Sequence, residues 1–305
     1  MRFVKGHGTG NDFVIVPDPD GELDLTPELV RALCDRRTGV GADGVLRVVL
    51  AAAERLSSGS GARSGPADPA RPQDAARWFM DYRNADGSVA EMCGNGLRVF
   101  GRYLVDAGYE RPGLIPVLTR AGVRRADVPA AGEVTVEMGP PLFGPPGAVP
   151  VTVAGRTLRA TQVSMGNPHA VCFADDLGPA ELAALDLTAP PTMPPGIFPD
   201  RVNVEIVIGA PAAVAMRVYE RGVGETLSCG TGACAVAVAS ATRAGRGPGV
   251  AVPVIVPGGL LTVLWDDDQV RLRGPAVLVS DGLLRPDWLA AATRAGEPAL
   301  TAGLA

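Results

Sequence analysis

The chain has 305 residues, which at roughly 150 residues per domain corresponds to about two domains, and 28 Lys+Arg against 33 Asp+Glu leave a net charge of −5. That balance excludes the basic stripe with which a nucleic-acid binder neutralises phosphates, and 39 glycines with 28 prolines describe a turn-rich globular chain, short of low complexity. No apolar run approaches the ~18 residues of a membrane span, no signal-like apolar region follows Met1, and five cysteines scattered through a chain of this size read as free thiols in a reducing cytoplasm.

In chain order, His7 falls in GHGTG and reads as a loop residue. Thr26-Pro27 offers an N-cap and a first-turn proline to a helix carrying Leu29, Val30 and Leu33 on one face. GVLRVVL (44–50) and RWFMDYR (77–83) read as strands. Between them lies a 26-residue stretch, 51–76, of which 18 residues are Ala, Ser, Gly or Pro; it has little to bury and is expected to be a mobile surface insertion joining the two strands. Helical periodicity follows Cys93 in Leu97, Phe100, Tyr103 and Leu104. EVTVEM (133–138), VNVEIVI (202–208), AMRVYE (215–220) and LLTVLW (260–265) alternate as strands, and the small, apolar run ACAVAVASATRAG after Cys229 reads as a core-buried helix. Strands outnumber helices, so the class is α+β.

A faint internal repeat connects the two helical regions. One half reads GTGND, strand, NADGS, EMCGNG, helix; the other reads MGNPH, strand, RGVGE, LSCGTG, helix. Each half therefore sets a Cys-Gly-x-Gly turn at a helix start, where unpaired N–H groups and the positive end of the dipole favour a thiolate. The N–H groups of Gly94, Asn95, Gly230 and Thr231 can approach an anion closely. Taken singly, either turn reads as a buried structural cysteine. As a pair facing one cleft, Cys93 and Cys229 suit removal of a proton from one face of a carbon acid and its return to the other, with no cofactor required. A cysteine-nucleophile hydrolase using His169 as base is the rival and leaves the second turn unexplained. Zinc does not fit, because Cys229 and Cys234 are five apart and Cys93 has no near partner. Cys34, Cys172 and Cys234 read as core residues.

The blocks NDF, GADG, YRNADGSVAEMCGNGLRVF, VSMGNPHAV, FPDRVNVE, ERGVGETLSCGTGACA and VPGG/RGPA resemble the diaminopimelate epimerase family over most of the chain. The resemblance implies cofactor-independent interconversion of LL- and meso-diaminopimelate for lysine and peptidoglycan synthesis, with Cys93 and Cys229 as the acid/base pair. It implies two pseudo-symmetric domains, each a mixed, mostly antiparallel, barrel-like sheet wrapped round a central helix, with the site in the cleft between them. The halves would be 1–138, joined by 280–305, and 139–279. It further implies Asn11, Asn84, Asn167, Asn203, Glu220 and Arg221 as substrate contacts, His169 and Glu220 as groups that bias the thiols, and a homodimer. Glu225 is expected to be structural. A same-fold epimerase or racemase for another amino acid remains an alternative. This chain has Gly44 where many members have Gln, removing one contact, and the less polar Leu227 ahead of Cys229.

Overall fold

The computed structural model describes residues 1–57, 76–145, 147–198, 202–210, 212–267 and 269–294. Among these it has eighteen strands in one mixed sheet system and six helices. The first part of the chain runs β1 (Arg2–Gly8), β2 (Asn11–Pro17), α1 (Pro27–Cys34), β3 (Gly44–Leu50), α2 (Ala51–Ser57), β4 (Trp78–Asn84), α3 (Gly94–Asp106), β5 (Gly113–Thr119), β6 (Gly122–Val128) and β7 (Val134–Gly139). The next part runs β8 (Leu142–Phe143), β9 (Val149–Val153), β10 (Arg156–Ser164), β11 (Pro168–Phe173), α4 (Pro179–Ala184), β12 (Asn203–Ala210), β13 (Ala213–Glu220), β14 (Gly224–Thr226), α5 (Gly230–Arg243), β15 (Val250–Val256), β16 (Gly259–Trp265) and β17 (Val270–Gly274). β18 (Val277–Leu283) and α6 (Pro286–Arg294) follow.

The repeat seen in the sequence is a repeat of pairing. β1 to β7 pair in order as antiparallel, parallel, antiparallel, parallel, antiparallel, antiparallel. β10, β11, β12, β13, β15, β16 and β17 pair in the same sequence of senses. β18 adds antiparallel to β1 as β9 does to β10, and β7 pairs with β17 to join the two sets. Each parallel step needs a crossover, and the two long helices fill corresponding ones: α3 lies between β4 and β5, α5 between β13 and β15. Each helix sits inside the curve of its own strands. α3 buries Leu97, Val99, Phe100 and Leu104 completely, and α5 is buried along almost its whole length by Ala, Val and Cys side chains.

Local sequence accounts for the elements that frame the site. The β1–β2 hairpin turns on Thr9 (φ 52°) and Gly10 (φ 81°), the pair of positive φ values a two-residue hairpin loop requires. Thr26 Oγ1 caps α1 by accepting from Leu29 N at 3.3 Å, and Pro27 opens the helix. α6 covers α1, with Ala292 buried in the same cluster as Leu29, Val30 and Leu33.

Two expectations need correction. The segment from residue 51 is not loop from its start, because Ala51–Ser57 is helical. Three alanines followed by Glu54 are good helix formers, and Ala51 is buried with Val49 and Phe79. Residues 58–75 of the expected insertion lie outside the described residues, as do 295–305 of the tail; the strands flanking the insertion, β3 and β4, do pair antiparallel. His7 is in strand β1 rather than a loop, and its Nδ1 accepts from Gly10 N at 3.3 Å.

Phe100 marks the first core most directly, since it is fully buried on α3 beneath the sheet. Phe100→Ala is expected to lower unfolding free energy by about 3–5 kcal/mol, the range for emptying a buried aromatic site, as measured by urea denaturation. A loss under about 1 kcal/mol would contradict this packing.

Candidate active site

Both long helices begin with the same device. Cys93 is extended (φ −139°, ψ 118°) and its Sγ accepts from Gly96 N at 3.3 Å; Cys229 is extended (φ −110°, ψ 113°) and its Sγ accepts from Gly232 N at 3.4 Å. The sulfur thus takes the place of a Ser or Asp cap. The glycine three residues on leaves room beside the sulfur: a Cβ there would be in ordinary contact with the Cys93 sulfur, at 3.6 Å, and tighter against the Cys229 sulfur, at 3.3 Å.

The two helix starts are side by side. A Cβ on Gly94 would lie 3.2 Å from Leu272 Cδ2 and one on Gly230 would lie 3.1 Å from the same methyl, so a single leucine backs both turns. Gly94 also lies against Met138, whose sulfur would be 2.7 Å from its Cβ. Asn95 crosses between the helices: its Nδ2 donates to Ser228 O at 3.0 Å and lies 3.3 Å from Ser228 Oγ and 3.2 Å from Asn11 Oδ1. Ser228 Oγ and Thr9 Oγ1 are 2.6 Å apart, and Thr9 Oγ1 accepts from Arg98 Nη2 at 3.4 Å. This buried network holds Thr9 in its unfavourable positive-φ conformation.

The expected site residues fall into two groups around these turns. Beside Cys93, Asn11 Oδ1 is 3.7 Å from the sulfur and Asn11 Nδ2 donates to Asp43 at 2.9 Å. Beside Cys229, Thr231 Oγ1 is 3.5 Å from the sulfur and accepts from Asn167 Nδ2 at 3.3 Å. Asn167 Oδ1 is 3.1 Å from His169 Nε2, and His169 Nδ1 is 2.6 Å from Glu205 Oε1. Asn203 Oδ1 accepts from Arg221 N at 2.9 Å, and Glu220 accepts from the Thr226 hydroxyl. Asn84 stands apart, its Nδ2 donating to Ser88 Oγ at 2.9 Å within its own turn. Glu225 makes a two-point ion pair with Arg217, at 2.6 and 2.7 Å, as a structural residue would. The position of Gly44 is closed: a Cβ there would be 2.5 Å from Arg83 O and 2.7 Å from the Tyr82 ring. Leu227 is 54% exposed beside Gly10.

Several participants carry little signal in the sequence. Arg98 is a charged residue on the apolar side of α3, and Glu205 shares a strand face with Asn203 by simple alternation. Thr9, Ser228, Met138 and Leu272 have no chemical signature before the chain is folded.

Burial outweighs the helix N-termini in setting the free thiols. It pushes the Cys93 thiol up to about 11, against the opposing pull of the Gly96 N–H and the Arg98 guanidinium. It pushes Cys229 well above the ordinary thiol value, and the carboxyls of Glu220 and Glu205 add to the rise. Glu220 is itself raised by burial. All five cysteines are free.

A profile described as diaminopimelate epimerase matches residues 3–143 and 161–279, spans that include both thiol turns and every residue of the two groups. The chain belongs to the diaminopimelate epimerase family. It is 52% identical over 297 residues to the diaminopimelate epimerase of Streptomyces coelicolor, covering 95% of this chain and 97% of that one. It is 50% identical over 297 residues to that of Acidothermus cellulolyticus, covering 93% and 96%. Two distant solved structures share the two-domain fold. They are a phenazine biosynthesis protein of the PhzF family from Bacillus anthracis (TM-score 0.65, 16% identity, 93% of this chain and 99% of that chain) and a hydroxyproline epimerase from Agrobacterium vitis with bound trans-4-hydroxy-L-proline (TM-score 0.64, 16% identity, 96% and 98%). Among the described residues no helix is long and apolar enough to cross a membrane.

The buried thiols give this member of the diaminopimelate epimerase family a pH signature. Folded Cys34, Cys93 and Cys172 are pushed up to about 12, 11 and 12, whereas an unfolded cysteine ionises near ~8.5. Between those values the folded state holds more protons, so the stability from burying neutral thiols is complete below about pH 8.5 and is lost as pH rises towards about 12. The melting temperature should fall across that window; a flat profile would show that these thiols ionise in place.

Proposed function

We propose that the protein interconverts LL- and meso-diaminopimelate by moving one α-proton between Cys93 and Cys229, without a cofactor. The observation that carries this reading is the juxtaposition of two cysteine-capped helix starts, backed by one leucine and tied by Asn95 to Ser228. In each turnover one sulfur enters as thiolate and takes the α-proton, and the other enters as thiol and gives its proton to the opposite face. The roles are then reversed, and proton count is conserved.

The negative charge that develops beside the substrate carboxylate is met by first-turn N–H groups of Gly94, Asn95, Gly230 and Thr231, fixed before the reaction begins. Burial raises both thiols, and the α-ammonium of the substrate would be a positive partner favouring the thiolate at the moment of binding. Asn11, Asn84, Asn167, Asn203, Glu220 and Arg221 would hold the substrate's two amino-carboxylate ends, with the guanidinium suited to a two-point carboxylate contact. His169 and Glu220 would bias the thiols. The division into 1–138 with 280–305 and 139–279 assigns one thiol to each half. The reading also places the protein in the cytoplasm, as a homodimer, where five free thiols stay reduced. A hydrolase using His169 as base is disfavoured because Nε2, the nitrogen that would have to face a thiol, lies 3.1 Å from Asn167 Oδ1.

In D₂O, LL-diaminopimelate should acquire one deuterium at a single α-carbon as meso product appears. Cys93→Ser and Cys229→Ser should each reduce turnover by at least about a hundredfold, the low end for losing a positioned acid or base. Retention of full rate by either variant would sink the two-base assignment.

A further inference from the structure

The two halves serve as each other's control, because residues in corresponding positions can be matched by pairing and contact. Asn11 opens β2 and Asn167 immediately precedes β11, each after a hairpin turn, and two residues on stand Phe13 and His169, which pair across the parallel step with Gly44 and Asn203. Two further along are Leu46 and Glu205. These two meet the thiol turns in the same way: a Cβ on Gly96 would lie 3.2 Å from Leu46 Cδ2, and one on Gly232 would lie 2.8 Å from Glu205 Oε1. β4 ends on Asn84 where β13 ends on Glu220. Five residues after Cys93 stands Arg98; five after Cys229 stands Cys234.

The departures from the repeat share one sense. Around Cys229, Leu and Asn are replaced by the carboxyls of Glu205 and Glu220; around Cys93, a neutral cysteine is replaced by a guanidinium. Arg98 is fully buried, makes no ion pair, and leaves Nη1 without a partner among the described residues. Gly8 and Gly274 make room for it: a Cβ on Gly8 would lie 2.9 Å from Nη2 and 3.3 Å from Asn95 O, and one on Gly274 would be 3.6 Å from Cζ. The cation is therefore folded back towards the start of α3, as helical side chains are. Glu205 is equally buried. It pairs with His169 through Oε1, and that oxygen is also the atom that lies over Gly232.

We propose that Arg98 and Glu205 are positioning residues that set the order in which the two thiols ionise, Cys93 before Cys229. This assignment rests on the two-thiol reading above. An isolated buried cation is costly, and ionisation of the thiol that caps its own helix would relieve that cost. A carboxyl beside Cys229 makes a second negative charge there costly in turn. Arg98 is the cation that lowers Cys93, and Glu205 raises Cys229; Glu220 raises both thiols and so does not tell them apart. The remaining groups are Cys234 and Glu133, which also face Arg98, Tyr82 at Cys93, and His169, as Glu205's partner, at Cys229. The opposing contact, Asn11 Oδ1 at 3.7 Å from Cys93, is the weak one available to a thiol donor.

The test is the pH dependence of iodoacetamide labelling of substrate-free enzyme, read at each cysteine by peptide mass spectrometry. The inflection is compared, because rates alone would also report exposure. Cys93 should titrate below Cys229. Arg98→Met should raise the Cys93 inflection by about one unit, a tenfold slower labelling on its rising limb, with Cys229 unmoved, and Arg98→Lys should restore it. Glu205→Gln should lower the Cys229 inflection and leave Cys93 unmoved. A Cys229 inflection at or below that of Cys93 in the wild type overturns the assignment whether or not the variants fold, as does an unmoved Cys93 inflection in folded Arg98→Met. Because no substrate is present, the result is independent of the deuterium assay. Exchange without the expected labelling order removes the charge assignment alone, and the expected order without exchange removes the substrate alone.

Discussion

A cysteine sulfur accepting from the N–H three residues ahead of it is the interaction on which the site depends. It fixes the thiol at a helix start, extends the backbone at that residue, and in both halves is followed by a glycine as the third residue. Once this is done twice, the rest of the architecture has to bring two helix starts together. The pairing of β7 with β17 joins the two strand sets, Leu272 of β17 backs both turns, and Asn95 closes the gap to Ser228. The strand order therefore follows from a requirement at the centre: two buried helices must meet end beside end, and each needs its own curved sheet to bury its length.

The same burial that holds the turns in place works against the chemistry. Helix N-termini favour a thiolate, yet the dry surroundings raise both thiols. A site of this kind needs a further charge nearby before either sulfur ionises readily. Burial also protects the thiols, because a buried sulfur with a raised pKa reacts poorly with electrophiles and oxidants.

What the sequence made legible was local. The N-cap of α1, the strand character of β3 and β4, the alternation in β7, β12, β13 and β16, the buried character of α5 and the two Cys-Gly-x-Gly turns all follow from neighbours within a few residues. What stayed hidden was contact between distant segments. Arg98 and Glu205 look like ordinary charged residues until folding places each beside a thiol turn. Ser228, Thr9 and Leu272 act only as parts of contacts spanning 89 to 219 residues or joining the halves. The helix at Ala51–Ser57 was obscured for another reason: composition averaged over the whole Gly/Ser/Pro-rich stretch outweighed the alanines at its edge.

The internal repeat separates packing from chemistry more sharply than either half could alone. At Gly44 the departure from Asn203 has a packing cause, because the Tyr82 ring and Arg83 O fill the space a side chain would need. At Leu46 against Glu205, and at Arg98 against Cys234, no such cause exists. Leu46 and Glu205 meet the same glycine position at similar range, so the backbone accepts either an apolar or a charged side chain. Burying a charge where an apolar residue fits is unfavourable by several kcal/mol unless something answers it. For Glu205 the answer is His169, whose own counterpart in the repeat is Phe13; for Arg98 it is a sulfur that can ionise. The two charges belong to different halves of the repeat, and the proposed two-thiol reaction, which begins with one thiolate and one thiol, would use that asymmetry before any substrate enters.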